Sequence, residues 1–89
     1  MYTNIANYIY DIFETTKKMG LPDLFLGLAQ VKAEKAMPEG ITDKQLRSFI
    51  SRNYKALVKL FNTVSHDMFV DMVDNLVEGY LAPEESEEA

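Results

Sequence analysis

The chain of 89 residues is long enough for one small domain but too short for a second hydrophobic core. Its 47% of apolar residues excludes an intrinsically disordered chain, and the absence of cysteine excludes a disulfide framework and a thiolate metal site. The net charge of −5 weighs against duplex DNA as the main partner, because DNA binding depends on neutralising phosphates.

No segment of the sequence has the features of a membrane anchor. The first residues, MYTNIANYIYDIF, lack the basic start and the small-residue cleavage site of a signal peptide. The longest strongly apolar run, at residues 24–31, falls far short of the about 20 residues that span a bilayer. Because the absence of cysteine also fits a reducing compartment, we expect a cytoplasmic protein.

The first predicted element is an amphipathic helix that begins near Thr3 or Asn4. Side chains at spacings of three, four and seven residues form its inward face: Ile5, Tyr8, Ile9, Ile12, Phe13, Thr16 and Met19. Gly20, followed by Leu21 and Pro22, predicts a left-handed C-terminal cap that ends this helix.

The second predicted helix starts at Pro22 and Asp23 and runs to about Ala36. Proline fits the first turn because its missing N–H needs no partner there, and an aspartate meets the positive end of the helix dipole. Apolar residues go most of the way round this helix, which predicts a central element covered on several sides. The small residues that would let a neighbouring helix approach closely are Gly27, Ala29 and Ala33.

The third predicted helix begins at a capping box formed by Thr42 and Gln45 and runs to about Asn62. Its expected inward residues are Leu46, Phe49, Ile50, Leu57, Leu60 and Phe61. Asn53 falls on the same apolar side, where its amide must find a hydrogen-bond partner or mark a break. We therefore expect this helix to bend or split near residues 51–53.

The fourth predicted helix has Ser65 as its N-cap and Asp67 in its first turn. Its expected buried residues are Phe69, Met72, Val73, Leu76, Val77 and Tyr80. After Leu81, the sequence APEESEEA is too charged and too poor in apolar residues to pack. The predicted fold class is all-α: a compact single-domain bundle of about four antiparallel helices over residues 1–81, with a disordered acidic tail over 82–89.

Four acids of the fourth predicted helix lie at positions i, i+4, i+7 and i+11 and form what we call the acidic stripe: Asp67, Asp71, Asp74 and Glu78. Residues 66–89 contain no Lys or Arg and carry a charge of −8, against +3 for residues 1–65. Such a stripe is either ordinary solvated surface or a binding face for a basic partner.

The third predicted helix carries what we call the basic face, opposite its apolar residues: Lys44, Arg47, Arg52, Lys55 and Lys59. This face favours an alternative hypothesis, a helix-turn-helix in which the third helix enters the major groove of DNA. The side chains at the start of that recognition helix would be Lys44, Gln45, Arg47 and Ser48. Against it, the turn of roughly six residues is long for this motif, and the net charge is negative.

No catalytic or metal site is expected. Ser65, His66 and Asp67 do not form a triad, because neighbours at a helix start project in different directions. One His without cysteine lacks a ligand set for a metal, and the sequence has neither a Glu-x-x-His pair nor a Gly-rich phosphate loop. We therefore expect neither enzyme activity nor a cofactor. Three tyrosines fall at or outside the edges of the apolar faces, where interface tyrosines and half-buried tyrosines both occur: Tyr2, Tyr10 and Tyr54.

These features favour a small, non-enzymatic interaction module that presents the acidic stripe to a basic region of a larger protein. Small size, absent cysteine and an acidic end would suit a regulator or inhibitor, for instance from a phage or mobile element. The alternatives are a DNA-binding regulator that uses the basic face and a structural or assembly subunit of a larger complex. Because the two charged surfaces have opposite sign, a homo-oligomer is compatible with the sequence, although single surface ion pairs contribute only ~0–1 kcal/mol.

Overall fold

The structure is a computed structural model that describes residues 2–17 and 20–81. These residues form five α-helices and no strand: α1 (Thr3–Thr16), α2 (Leu21–Glu34), α3 (Asp43–Arg52), α4 (Tyr54–Thr63) and α5 (His66–Leu81). The all-α fold class is confirmed, while the expected third helix is two helices. The acidic tail over 82–89 and the inward position of Met19 lie outside the described residues.

Helix α1 occupies the centre of the fold, with α2 packed along one side of it and α5 along another. Six of its residues are buried: Ile5, Ala6, Tyr8, Ile9, Ile12 and Phe13. The expectation that α2 is the central element is wrong. Leu26 is 66% exposed, and Ala29 and Ala33 are exposed as well, because only one side of α2 has a helix packed extensively against it.

The close approach of α2 to α1 occurs at Gly27. A Cβ atom added there would lie 2.1 Å from Thr16 Cγ2 and 3.1 Å from the carbonyl oxygen of Ile12, both shorter than ordinary contacts. The prediction of a close approach is therefore confirmed at Gly27. The neighbouring small residues Ala29 and Ala33 face solvent instead.

The left-handed cap of α1 lies at Lys17, with φ 56°, and not at Gly20. The Lys17 N–H donates to the carbonyl oxygen of Phe13 and so closes the last turn. Gly20 has extended backbone and is the N-cap of α2, with Pro22 and Asp23 in the first turn as expected. Helix α1 therefore ends at Thr16, earlier than the position of the glycine indicated.

The capping box at the start of α3 is confirmed in both directions. The Gln45 N–H donates to Thr42 Oγ1 at 3.1 Å, and the Thr42 N–H donates to Gln45 Oε1 at 3.0 Å. The split near residues 51–53 is confirmed too, since Asn53 separates α3 from α4 and its side-chain amide donates to the carbonyl oxygen of Phe49. Likewise Ser65 caps α5, because its Oγ accepts from the Met68 N–H.

Helix α5 buries a narrower face than predicted. Phe69, Val73 and Val77 are fully buried, whereas Leu76 and Tyr80 are only partly buried. Met72, expected in the core, is 41% exposed, and Met68 in the preceding turn is 54% exposed. The buried residues lie four apart on one line, and α5 makes its main contact with α1, so the side chains farther round the helix remain near the surface.

Candidate protein-interaction surfaces

Three members of the acidic stripe are exposed side chains on one side of α5. Asp67, Asp71 and Glu78 each have an exposed environment, and none of the three forms an ion pair with another residue in 2–17 or 20–81. Like charges at these spacings repel one another weakly, by a few tenths of a kcal/mol per pair. Within the described residues, therefore, no ion pair offsets this repulsion.

Asp74, the fourth member, has a different environment and a structural contact. Its carboxylate accepts a hydrogen bond from the Tyr2 N–H at 2.9 Å and one from Thr3 Oγ1 at 3.4 Å. Tyr2 is the N-cap residue of α1, and its own side chain makes no capping hydrogen bond. Asp74, on another helix, accepts from the N–H of this N-cap residue, one of the unpaired donors at the start of α1, next to the positive end of the helix dipole. This role cannot be read from local spacing, because the partners lie more than seventy positions away.

The start of the basic face is occupied by contacts within the chain. Arg47 Nε donates to Asp43 Oδ2 at 3.0 Å, and its guanidinium lies 5.3 Å from the centre of the Phe25 ring. Lys32 Nζ contacts the other oxygen of Asp43 at 2.7 Å. The hydrogen bond from Lys32, reinforced by that from Arg47, holds the pKa of Asp43 below its ordinary value.

The remaining bases divide between open surface and a groove. Lys44 and Lys55 are exposed, and neither forms an ion pair within residues 2–17 and 20–81. Arg52 lies over the Tyr80 ring at 6.0 Å from its centre. Arg52 and Lys59 also line the depressions between α4 and α5 that are described next.

Two adjoining depressions run along α5 and form what we call the α4–α5 groove. The first, of about 450 Å³, is lined by Ala56, Lys59, Leu60, Met72, Asn75 and Leu76. The second, of about 530 Å³, is lined by Arg52, Asn53, Asn75, Leu76, Gly79 and Tyr80. Asn75 and Leu76 belong to both, so the groove is continuous along α5. The sequence pattern did not reveal this surface, because the helical spacing of Met72 and Leu76 predicts buried side chains.

His66 and the tyrosines have packing roles. The His66 ring stacks on Tyr10 with centroids 4.1 Å apart, and its Nε2 lies 3.1 Å from Asn7 Oδ1. Tyr10 also contacts the rings of Phe61 and Phe69. Because Ser65 Oγ caps α5 and His66 pairs with Asn7, the neighbouring Ser, His and Asp have no triad geometry. The other two tyrosines considered above, Tyr2 and Tyr54, are partly buried against the core.

Residues 2–17 and 20–81 lack the side-chain clusters and the helices that two other kinds of site would need. They contain no group of three or more His, Cys, Asp or Glu side chains placed to hold a metal ion. No helix among them combines the length and the apolar character needed to cross a membrane.

Comparison with protein-family models, curated proteins and solved structures gives no match. The candidate surfaces therefore stand on their geometry alone.

Proposed function

We propose that this protein is a non-enzymatic interaction module that binds a basic surface of a larger protein through Asp67, Asp71 and Glu78. The observation that carries the proposal is that these three exposed carboxylates share one side of α5 without an ion-pair partner among the described residues. A basic partner would supply the missing counter-charge and would be steered towards this face by the surrounding field. In this arrangement the protein acts as a regulator or inhibitor by covering the basic surface that it binds.

The rival proposal is a DNA-binding regulator that uses the basic face, and the exposure of Lys44 and Lys55 supports it. Two of the side chains that would begin the recognition helix are already engaged within the chain. Arg47 is paired with Asp43, and Gln45 completes the capping box. Asp43 also places a carboxylate at the start of α3, where a DNA phosphate would be repelled. The acidic face is therefore the better-supported binding surface.

A structural or assembly subunit would use the same face in a permanent complex.

The experiment begins with copurification of the partner from the native host and a measurement of its affinity for the chain. Neutralising the face with Asp67→Asn, Asp71→Asn and Glu78→Gln should weaken binding at least tenfold, and added salt should weaken wild-type binding. The matched control, Lys44→Gln with Lys55→Gln, changes two exposed bases outside this face and should leave affinity unchanged. Unchanged affinity of the acidic variant would refute the proposal.

A mobility-shift assay on random duplex DNA at low salt tests the rival directly. The proposal predicts no saturable shift by the wild-type chain. Saturable binding that is lost in Lys44→Glu with Arg47→Glu would establish DNA binding through the basic face instead.

A further inference from the structure

We propose that the α4–α5 groove is a self-association surface, in which two copies of the chain pack face to face about a two-fold axis parallel to the groove. The depression at Met72 and Leu76 has an apolar floor, and exposed side chains of opposite charge flank the groove on its two sides. These two features together select a second copy as the occupant. The proposal concerns the chain alone, so it does not depend on the partner proposed for the acidic face.

The apolar part of the surface consists of side chains that the fold leaves partly or largely uncovered. Met72 is 41% exposed, Leu60 and Leu76 are partly buried, and Ala56 on the facing helix is exposed. Met68, one turn before Met72, extends the apolar surface along α5. Contiguous exposed apolar surface with a polar rim is typical of protein-protein contacts, and methionine is enriched in them.

The rims of the groove carry charges of opposite sign at the same spacing. Arg52 and Lys59 lie on the α3–α4 side, seven residues apart. Asp71 and Glu78 lie on the exposed side of α5, also seven residues apart, beyond the groove residue Asn75. None of these four side chains forms an ion pair with any other residue that the structure describes.

The two rims are also matched in height along the groove. Arg52 lines the same depression as Gly79, the residue that follows Glu78. Lys59 lines the same depression as Met72, the residue that follows Asp71. One residue corresponds to a rise of about 1.5 Å along a helix, so each base lies close to the level of one acid on the opposite rim.

This arrangement makes the surface complementary to itself. Rotation by 180° about an axis parallel to the groove places α5 of one copy over α4 of the other and keeps each residue at its own level. Glu78 then faces Arg52 of the second copy, Asp71 faces Lys59, and the symmetric contacts repeat both pairs. A two-fold axis across the groove would instead place α5 of one copy over α5 of the other, so that the acidic rims would face each other and repel. Charge therefore selects one of the two face-to-face pairings, with the apolar floors in contact and the ion pairs at the rim.

Other occupants match the groove less well. The C-terminal sequence APEESEEA has no large apolar side chain for the floor, and its four glutamates could satisfy only the basic rim. A purely basic peptide would match the α5 rim but would be repelled by Arg52 and Lys59. A second copy satisfies the floor and both rims at once.

Sedimentation equilibrium of the full chain over a concentration series tests the proposal. The wild-type chain should form dimers, and the pair Arg52→Glu with Lys59→Glu should raise the dimer dissociation constant at least tenfold. The opposite pair, Asp71→Lys with Glu78→Lys, should raise it similarly even though it reduces the net negative charge. A mixture of the two variants should form a heterodimer, because every rim contact is then attractive again.

The control pair Lys17→Glu with Lys44→Glu makes the same charge change at two exposed bases that do not line the groove, and it should dimerise like the wild-type chain. Circular dichroism of each variant checks that it is folded. A wild-type chain that remains monomeric throughout the series would overturn the proposal. The proposal would also be overturned if the control pair raised the dimer dissociation constant as much as the groove variants do. The same holds if the two groove variants failed to form a heterodimer when mixed.

Discussion

At the scale of single residues, the acidic stripe shows how the same residue type on one helix acquires two roles. Asp71 is exposed and has no ion-pair partner within the described part of the chain, whereas Asp74, less than one turn away, accepts hydrogen bonds from the start of α1. The difference arises from tertiary packing, because Tyr2 and Thr3 reach α5 only after α1 has docked on it. The spacing of acidic residues in the sequence therefore identifies the acidic stripe, but it does not show which of them are exposed and which form structural hydrogen bonds.

The two aspartates should consequently respond in opposite ways to replacement by alanine. Asp74→Ala removes the acceptor at the α1 N-terminus and should reduce the free energy of unfolding by about 0.5–2 kcal/mol, the usual cost of losing a cap. In dilute protein, where the chain is monomeric, Asp71→Ala removes only like-charge repulsion and should leave stability unchanged or slightly higher. Urea unfolding of both variants checks this, and equal effects would show that Asp74 is not a cap.

The ion-paired carboxylate of Asp43 should contribute to the loss of folding stability at low pH. Its pKa is held below the ordinary value by the hydrogen bond from Lys32, with a further one from Arg47. The stabilisation is present above the unfolded pKa of about 3.9 and is lost as the pH falls through the lower folded value. The Tm of the Asp43→Asn variant should therefore fall less than the Tm of the wild-type chain when the pH is lowered from about 5 to about 3. Parallel loss of Tm in both proteins would contradict this assignment.

At the scale of helices, local signals located several boundaries and missed those that depend on packing. Thr42 with Gln45 and the break at Asn53 were predictable, because each uses partners within four residues. The cap at Lys17 was not predictable, because a lysine has no intrinsic preference for the left-handed conformation that it adopts there. The exposure of single side chains was harder to predict, because the patterns of α2 and α5 did not reveal that Leu26 and Met72 are exposed.

The contact of α2 with α1 can be tested at its glycine. Gly27→Ala should reduce the free energy of unfolding by about 1–3 kcal/mol, because its Cβ meets Thr16 and the Ile12 carbonyl oxygen. Gly79→Ala is the matched control, since an added Cβ there has nothing within 4 Å. In dilute protein it should stabilise α5 by about 0.5–1 kcal/mol through the removal of a helical glycine. A neutral Gly27→Ala would contradict the packing of these helices.

At the scale of the whole molecule, the proposed function rests on charged surfaces of the fold. The sequence was sufficient to identify both charged surfaces as candidates, because charge and helical spacing are local properties. It was not sufficient to find the α4–α5 groove, which depends on the packing of two helices and on the exposure of Met72 beside the partly buried Leu76. The groove lies where the acidic and basic sides of the fold approach each other, so partner binding and self-association would both engage Asp71 and Glu78.

The measurement that tests the central claim most directly is a map of backbone amide chemical shifts in the labelled chain, with and without the copurified partner. If the acidic face binds a basic protein, the largest shifts should fall on α5 around Asp67, Asp71 and Glu78. They should fade as salt is added, because the exposed charges are then screened. Shifts concentrated on α3 and α4 around Lys44 and Lys55, with α5 unchanged, would contradict the claim and move the binding site to the basic face.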